Sequence, residues 1–171
     1  MLMRRPFAQL GALALLALAG VAVAGWGGRA RADEVVVGGV VATVPAGWTS
    51  SEDGKLRVLS APRAEITVQL IVITESTLER GLRRVERDLG KHFEKVVWDA
   101  RKPRTGKVAG MKTLARSGDA ALGKLAVKLG VMLVQPRRGR PVMVMMVAGA
   151  ATFASHVTEL GDLMLGLRPA K

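Results

Sequence analysis

Apolar residues at strand periodicity dominate the chain beyond residue 32 and restrict it to folds built around a sheet. In the clearest run, 65–73, the polar residues Glu65, Thr67 and Gln69 alternate with four apolar ones: Ile66, Val68, Leu70 and Val72. Because successive side chains of a strand point to opposite faces, these four residues share one face. The run 142–147 is apolar on both faces, which predicts a central strand that is covered on both sides.

Other apolar runs predict the remaining strands, at 35–44, 56–59, 96–98, 111–115 and 122–134. The Gly38-Gly39 pair predicts a bulge or bend within the first of them. Glycine, proline and small polar residues interrupt the apolar pattern and predict turns at 45–48, 117–119 and 136–141. The segment 101–107 is expected to be a basic loop.

Helical periodicity appears in two places. From Ser76 to Phe93 one apolar stripe is predicted, formed by Leu78, Leu82, Val85, Leu89 and Phe93. Ser76 and Glu79 match a capping box at its start. A second stripe over 153–167 predicts a C-terminal helix that ends at Arg168-Pro169. The order of elements predicts an α+β fold, in which a largely antiparallel sheet is flanked by a mid-chain helix and a C-terminal helix.

Residues 1–32 have the pattern of a secretory signal peptide. Arg4 and Arg5 form a positive start, and no charge follows between Phe7 and Gly25. The small-x-small pattern of 30–32 predicts cleavage after Ala32, with a second possible site after Ala24. We therefore expect export, with the mature protein in the periplasm or outside the cell.

Two alternatives to this export prediction stay open. The apolar run is near the lower length limit of a membrane-spanning helix, so an uncleaved N-terminal anchor is the alternative to cleavage. The export route is the second question, because Arg4-Arg5-Pro6-Phe7 partly matches the R-R-x-F core of twin-arginine signals. The general secretory route is favoured, since Met3, Ala8 and Gln9 depart from the twin-arginine pattern.

Residues 33–171 are expected to form a single domain, because no repeat, low-complexity block or long linker divides them. The chain contains no cysteine. That excludes disulfides, zinc–thiolate sites, cysteine nucleophiles and a lipid anchor attached at a cleavage-site cysteine. A domain of this size is large enough to be stabilised by its hydrophobic core alone.

Positive charge is the only concentrated polar feature. Four of the 26 basic residues lie in the first 32 positions, so the remainder carries 22 basic and 14 acidic residues and a net charge of +8. Such an excess attracts anionic surfaces. The candidate anion-binding residues form three clusters: Arg80, Arg83, Arg84 and Arg87; Arg101, Lys102, Arg104 and Lys107; and Arg137, Arg138 and Arg140.

Nucleic acid is a disfavoured partner for these clusters. Binding of single strands also requires aromatic stacking platforms. The chain has no tyrosine, and no phenylalanine or tryptophan lies inside any cluster. Acidic lipid head groups or acidic polysaccharide remain as candidate anionic partners.

No group of residues predicts catalysis, a metal or a cofactor. The two histidines, His92 and His156, are far apart and each has one acid on its own helix, Asp88 and Glu159. Ser155 is adjacent to His156, but neighbouring residues of a helix point about 100° apart, which disfavours a serine–histidine pair.

Other candidate chemistry is equally weak. Glu65 and Asp99 are a conceivable carboxylate pair, without a pattern that selects them. The methionine-rich stretch (Met132, Met143, Met145 and Met146) is interpreted as core packing, because Met146 points away from the face that Met143 and Met145 share.

The order of elements and one short motif resemble the PsbP-like superfamily, including its small exported DcrB-like proteins. The motif is V-P-x-G-W at residues 44–48, and the resemblance extends to Pro169. It implies an antiparallel sheet sandwiched by helices, an α/β/α arrangement. It also implies a non-catalytic accessory role in the cell envelope, exercised through a protein partner that the sequence does not identify. The alternative is a peripheral binder of anionic envelope surfaces through the basic clusters.

Overall fold

The computed structural model describes residues 33–171, so the predicted signal peptide lies outside the described residues. Eleven strands and two α-helices occur there. The strands are β1 (Glu34–Val37), β2 (Val40–Thr43), β3 (Thr49–Asp53), β4 (Leu56–Ser60), β5 (Ile66–Val72), β6 (Glu94–Trp98), β7 (Arg104–Val108), β8 (Met111–Leu122), β9 (Leu125–Gln135), β10 (Val142–Gly149) and β11 (Arg168–Pro169). The helices are α1 (Leu78–Leu89) and α2 (Val157–Leu165).

Eight strands form one antiparallel sheet in the order β3-β4-β5-β10-β9-β8-β6, with β7 also paired to β8. The strands β6 and β7 share the outer edge of β8: β6 pairs with its C-terminal half and β7 with its N-terminal half. The predicted central strand is confirmed, because β10 lies between β5 and β9 and is buried over seven of its eight residues.

The helix α1 covers one face of this sheet. Its predicted apolar stripe is confirmed, since Leu82, Val85, Leu89 and the following Phe93 are all buried. They pack with β9 residues such as Leu133 and with Met143 and Met145 of β10. Burial of each large apolar side chain contributes about 1.5–3 kcal/mol, so this packing holds α1 on the sheet.

A second layer covers the opposite face. It consists of α2 together with a small sheet in the order β1-β2-β11. Leu160, Leu163 and Leu167 from the C-terminal region pack there against Ile66 and Val68 of β5. The sheet is therefore enclosed between two layers, and the predicted α+β fold is confirmed.

Three local predictions are wrong. Gly38 and Gly39 do not form a bulge or bend in one long strand, because both have positive φ angles and make the turn that joins β1 to β2. Residues 117–119 are not a turn but the interior of β8, which pairs continuously with β9 as far as Leu122. The segment 101–107 is not wholly a loop, since Arg104 begins β7.

The start of α1 differs from the predicted capping box. The N-cap is Thr77, whose Oγ1 accepts a hydrogen bond from the backbone N–H of Arg80 at 3.3 Å. A capping residue satisfies one of the free N–H groups of the first turn, and threonine performs this as serine does. The helix is also shorter than predicted, because it ends at Leu89.

Candidate anion-binding surface

The α1 cluster consists of Arg80, Arg83, Arg84 and Arg87. The side chains of Arg80, Arg83 and Arg87 are exposed, whereas Arg84 is half-buried between two acids. Its Nη1 lies 2.5 Å from Glu75 Oε1, and its Nε lies 3.7 Å from an oxygen of Asp88. Burial is the largest single effect and raises the pKa of Glu75, but the hydrogen bonds from Arg84, the backbone and Thr74, together with the charge of Arg84, hold the pKa below its ordinary value.

The hairpin cluster, Arg137, Arg138 and Arg140, lies in the exposed turn between β9 and β10. Thr74 joins it to the α1 cluster. Arg140 Nη1 donates a hydrogen bond to the carbonyl oxygen of Thr74 at 3.3 Å, and Arg84 Nη1 donates to Thr74 Oγ1 at 2.9 Å. Two clusters that are at least 50 residues apart in sequence thus meet at one residue.

The edge cluster contains Arg101, Lys102, Arg104 and Lys107, all of them exposed. Arg116 of β8 connects it to α1. Arg116 Nη2 donates hydrogen bonds to the carbonyl oxygens of Ala100 at 3.0 Å and Arg101 at 3.3 Å. Its Nη1 donates to Glu86 Oε1 of α1 at 2.5 Å. Each of the three clusters is therefore in α1 or is connected to it by an arginine side chain.

Sequence reasoning missed Arg116. Its side chain is 15% exposed, and its guanidinium carbon lies 5.0 Å from the centre of the Trp98 ring. The reason is the predicted turn at 117–119, because a basic residue next to a turn is ordinary and does not stand out as a candidate site residue. A cation between Leu114 and Ala120 on the apolar face of a continuous strand would have been the signal.

A pocket of about 160 Å³ opens beside Arg116, and we call it the edge pocket. It lies beside the middle of β8, between the part of that strand that pairs with β6 and the part that pairs with β7. Its lining residues are Asp99, Ala100, Lys102, Arg104, Ala115, Arg116 and Ser117. The pocket thus combines two residues of the edge cluster with the arginine that the sequence analysis did not select.

The predicted pair of His156 and Glu159 does form, within a larger group. His156 Nδ1 lies 2.8 Å from Glu159 Oε2, and His156 Nε2 lies 3.4 Å from Glu65 Oε2. Trp48 Nε1 donates to the same Glu159 oxygen at 3.1 Å, and the Trp48 ring meets the His156 ring edge to face. The V-P-x-G-W motif is therefore connected to α2 through its tryptophan.

Electrostatics in this group favour a charged histidine. The hydrogen bond to Glu159 raises the pKa of His156 above its ordinary value, and Glu65 adds to that effect while partial burial opposes it. The bond to His156, together with that from Trp48, lowers the pKa of Glu159. An imidazolium between two carboxylates is a stabilising contact, and its two ring nitrogens are both engaged.

The other candidate chemistry is not assembled. Ser155 Oγ donates to the carbonyl oxygen of Thr152 at 2.7 Å instead of facing His156. The predicted pairing of His92 with Asp88 is absent from the contacts of the described residues, where Asp88 is bound by Lys91 and Arg84. Asp99 binds Ser117 at one edge of the sheet, whereas Glu65 contacts His156 at the start of β5, four strands away.

The methionines follow the core interpretation. Met143 and Met145 pack on the α1 face, and Met132 and Met146 pack on the opposite face. Within residues 33–171, no group of three or more histidine, cysteine or acidic residues is placed to hold a metal ion. No helix in the same part of the chain is long and apolar enough to cross a membrane.

Comparison with known proteins identifies the fold. No protein-family model matches the chain, and no curated protein matches it. Among solved structures, cyanobacterial PsbP (CyanoP) from Synechocystis sp. PCC 6803 is 11% identical with a TM-score of 0.57, and the match covers 86% of this chain and 99% of that one. LpqN of Mycobacterium tuberculosis, described as involved in cell envelope biogenesis, is 10% identical with a TM-score of 0.58 and coverages of 77% and 83%.

A eukaryotic protein has the same architecture. The Ran-binding protein Mog1p of Saccharomyces cerevisiae is 14% identical with a TM-score of 0.52, over 80% of this chain and 94% of that one. At such identities a structural match shows the fold alone. The chain therefore has a PsbP-like fold, as its sequence predicts.

Proposed function

We propose that this chain is an exported, non-catalytic accessory protein of the cell envelope that acts by binding other envelope components. The observation that carries the proposal is the exposed basic surface around α1, whose clusters are joined through Thr74 and Arg116. A protein of the same fold that is described as Ran-binding supports a binding role, and another that is described as involved in cell envelope biogenesis supports the envelope location. Ser155 and His156 are each bound to other groups, which supports a role without hydrolysis.

The first experiment tests export. The full chain is expressed in the cells that make it, and the intact mass of the envelope-associated product is measured. Cleavage after Ala32 leaves Asp33 as the first residue, and cleavage after Ala24 leaves Gly25. A product that keeps residues 1–32 and stays in the membrane fraction would support the anchor alternative, and a full-length product in the cytoplasm would refute export.

The second experiment identifies what is bound. The exported protein, tagged at its C-terminus, is crosslinked in intact cells, captured, and washed at about 0.1 M and then about 1 M salt. The electrostatic screening length falls from roughly 10 Å to 3 Å over this range, so attractions between exposed charges are lost. A specific protein that persists at high salt supports an interaction module, and recovery of nothing at either salt argues against a binding role.

A second candidate function is peripheral binding to anionic envelope surfaces, favoured by the meeting of the α1 and hairpin clusters at Thr74. It predicts that the mature protein sediments with vesicles containing phosphatidylglycerol, and not with neutral vesicles, and that salt releases it. The variants Arg80→Glu/Arg83→Glu and Arg137→Glu/Arg138→Glu should each weaken sedimentation strongly.

The matched control changes the net charge equally at the other end of the sheet. Arg63 lies in the turn before β5 and Lys124 in the turn between β8 and β9, and both are exposed. Arg63→Glu/Lys124→Glu should weaken sedimentation much less than either cluster variant. Equal weakening by all three variants would mean that net charge, and not this surface, determines binding.

A further inference from the structure

The edge pocket has a donor set that the exposed clusters lack. Lys102 and Arg104 stand exposed at its rim, and Arg116 forms part of its wall. Arg116 Nη1 and Nη2 are engaged by Glu86 and two carbonyl oxygens, but its Nε is buried without a hydrogen-bond partner within the described residues. Lys102 and Arg104 are the donors open to an occupant, and the charge of Arg116 behind the wall adds to their attraction for an anion, because hydrogen bonds from charged donors are the strong ones.

The pocket also contains a hydrogen-bond acceptor, the carboxylate of Asp99. A site for an anion without hydroxyl groups would not be expected to include it. Asp99 accepts a hydrogen bond from Ser117 Oγ at 2.7 Å through Oδ2, and its backbone N–H donates to the carbonyl oxygen of Ser117 at 3.0 Å. These two bonds fix the carboxylate in place. Its other oxygen has no hydrogen-bond partner in the part of the chain that the structure describes, although the charge of Lys128 acts on this carboxylate. The carboxylate would repel an anion placed beside it. An occupant must therefore present a hydroxyl to Asp99 and its negative charge to the cations.

The pocket is open to solvent, and its volume has room for about one ring. A protein cavity of about 150 Å³ is sufficient to hold a benzene molecule, and the edge pocket has about 160 Å³. Ala100 and Ala115 supply small apolar surface beside the polar groups. A six-membered ring with hydroxyls, carbon–hydrogen faces and one anionic substituent matches the volume, the donors and the acceptor together.

We propose that the edge pocket binds one anionic sugar unit of an envelope polysaccharide, a uronic acid or a sugar phosphate. The inference rests on the proposed envelope location, and it assigns to this site a specific ligand chemistry that the exposed clusters do not require. In the complex, Lys102 and Arg104 donate to the carboxylate or phosphate, the charge of Arg116 attracts it from the wall, and Asp99 accepts from a ring hydroxyl.

The test is a titration of the isotope-labelled mature protein, followed by two-dimensional amide NMR. The probes are glucuronate and glucose 6-phosphate, with glucose and inorganic phosphate as comparison compounds. Either anionic sugar should shift the amide signals of 99–102 and 115–117 in a saturable manner. Glucose and phosphate should each bind about tenfold more weakly or not at all, because each lacks one of the two required contacts.

Variants separate the pocket from general attraction. Lys102→Gln/Arg104→Gln removes two exposed cations and should weaken sugar binding by about tenfold or more. Arg63→Gln/Lys124→Gln removes the same charge outside the pocket and outside the three basic clusters, and should change the dissociation constant less than about twofold. Asp99→Asn should weaken binding of the anionic sugars. It should also make the affinity for inorganic phosphate more similar to the affinity for the sugars, because the pocket no longer repels an anion.

Three results would overturn the inference. They are binding of phosphate as tight as that of the sugars, shifts centred on the hairpin cluster, and unchanged affinity of Lys102→Gln/Arg104→Gln. If glycerophosphoinositol binds more tightly than either sugar, the ligand class is a lipid head group and not a saccharide. If the pocket variant still captures its envelope partner in cells while no sugar binds, the inference fails and the proposed function stands.

Discussion

Arg116 contributes at the scale of single residues, because it binds a carboxylate on α1 and two backbone carbonyls of the loop that follows β6. Replacing it by methionine leaves Glu86 without its cation in a site where the carboxylate is only 22% exposed. Breaking a buried ion pair by removing one partner costs about 3–5 kcal/mol, and this pair, which is partly exposed, should lie below that range. We expect Arg116→Met to lower the free energy of unfolding by about 2 kcal/mol.

Urea denaturation measures this change, and the double variant provides its control. Arg116→Met/Glu86→Gln removes the unpaired charge and should recover part of the loss. The bonds to the Ala100 and Arg101 carbonyls are lost in both variants, so recovery should stay incomplete. If the changes in unfolding free energy caused by the two substitutions are simply additive, the ion pair is contradicted.

His156 makes stability depend on pH, and the direction follows from its raised pKa. A histidine whose pKa is higher in the folded state contributes stability that is fully present below the unfolded value of about 6.5 and is lost as the pH rises through the folded value. Glu159 has a lowered pKa, so its contribution is present above the ordinary carboxyl value and is lost only as the pH falls through the lowered one.

The expected outcome concerns the difference in unfolding free energy between the natural chain and His156→Gln. This difference should be largest near about pH 5.5, where His156 is an imidazolium and Glu159 is ionised, and should shrink toward about pH 9. Thermal unfolding across that range provides the measurement. His92→Gln is the control, since His92 is exposed and its replacement should produce no comparable trend.

At the scale of elements, the cap of α1 distinguishes two adjacent hydroxyl residues. Thr77→Ala removes the acceptor of the Arg80 N–H and should cost about 1 kcal/mol of stability. Ser76→Ala removes an exposed side chain outside the helix and should stay within about 0.5 kcal/mol. Equilibrium unfolding of both variants compares them, and a larger loss for Ser76→Ala would restore the capping box as the correct start.

Gly118 is a position where the pairing of β8 with β6 requires glycine, because there is no space for a side chain. A Cβ atom there would lie 3.0 Å from the Cα atom of Trp98 and closer still to the carbonyl oxygen of Val97, both on β6. Gly118→Ala should therefore force β6 away from β8 and lower stability by about 1–3 kcal/mol. Gly161→Ala is the matched control, because the added Cβ meets no atom within 4 Å and lies within α2, where alanine should stabilise by about 0.5–1 kcal/mol.

At the scale of the whole molecule, the C-terminal segment connects α2 to the small sheet within the second layer. The strand β11 pairs with β2, and Arg168 Nη2 lies 2.6 Å from Glu34 Oε2 near the start of the described chain. Leu167 is fully buried between α2 and this small sheet. The segment therefore joins the first and last strands of the fold.

Truncation of Leu167 tests this connection. Leu167→Ala should lower the free energy of unfolding by about 2–5 kcal/mol, the cost of removing a buried leucine side chain. Leu165→Ala changes the same residue type two positions earlier, where the side chain is 77% exposed, and should change stability by less than about 0.5 kcal/mol. Chemical denaturation of both variants measures the difference, and similar losses would contradict the role of Leu167 as the core contact of this segment.

The sequence by itself determined the elements whose signals are local. The alternation in Ile66–Val72, the stripe of α1 and the doubly apolar β10 all appear in the structure, because side-chain periods of 2 and 3.6 are properties of the strand and the helix themselves. The basic clusters were equally visible as residues in sequence. Their role in binding remains a prediction.

Only the tertiary structure decided which distant residues meet. A glycine that makes a turn and one that permits close approach of two strands look alike in sequence, so Gly118 predicted a turn where β8 continues. The strand β3 is entirely exposed and carries no apolar alternation to reveal it. The partners of Arg116 lie 15, 16 and 30 residues away, and the contact of Trp48 with Glu159 spans 111 residues. Such contacts depend on how the layers pack, and no local periodicity encodes them.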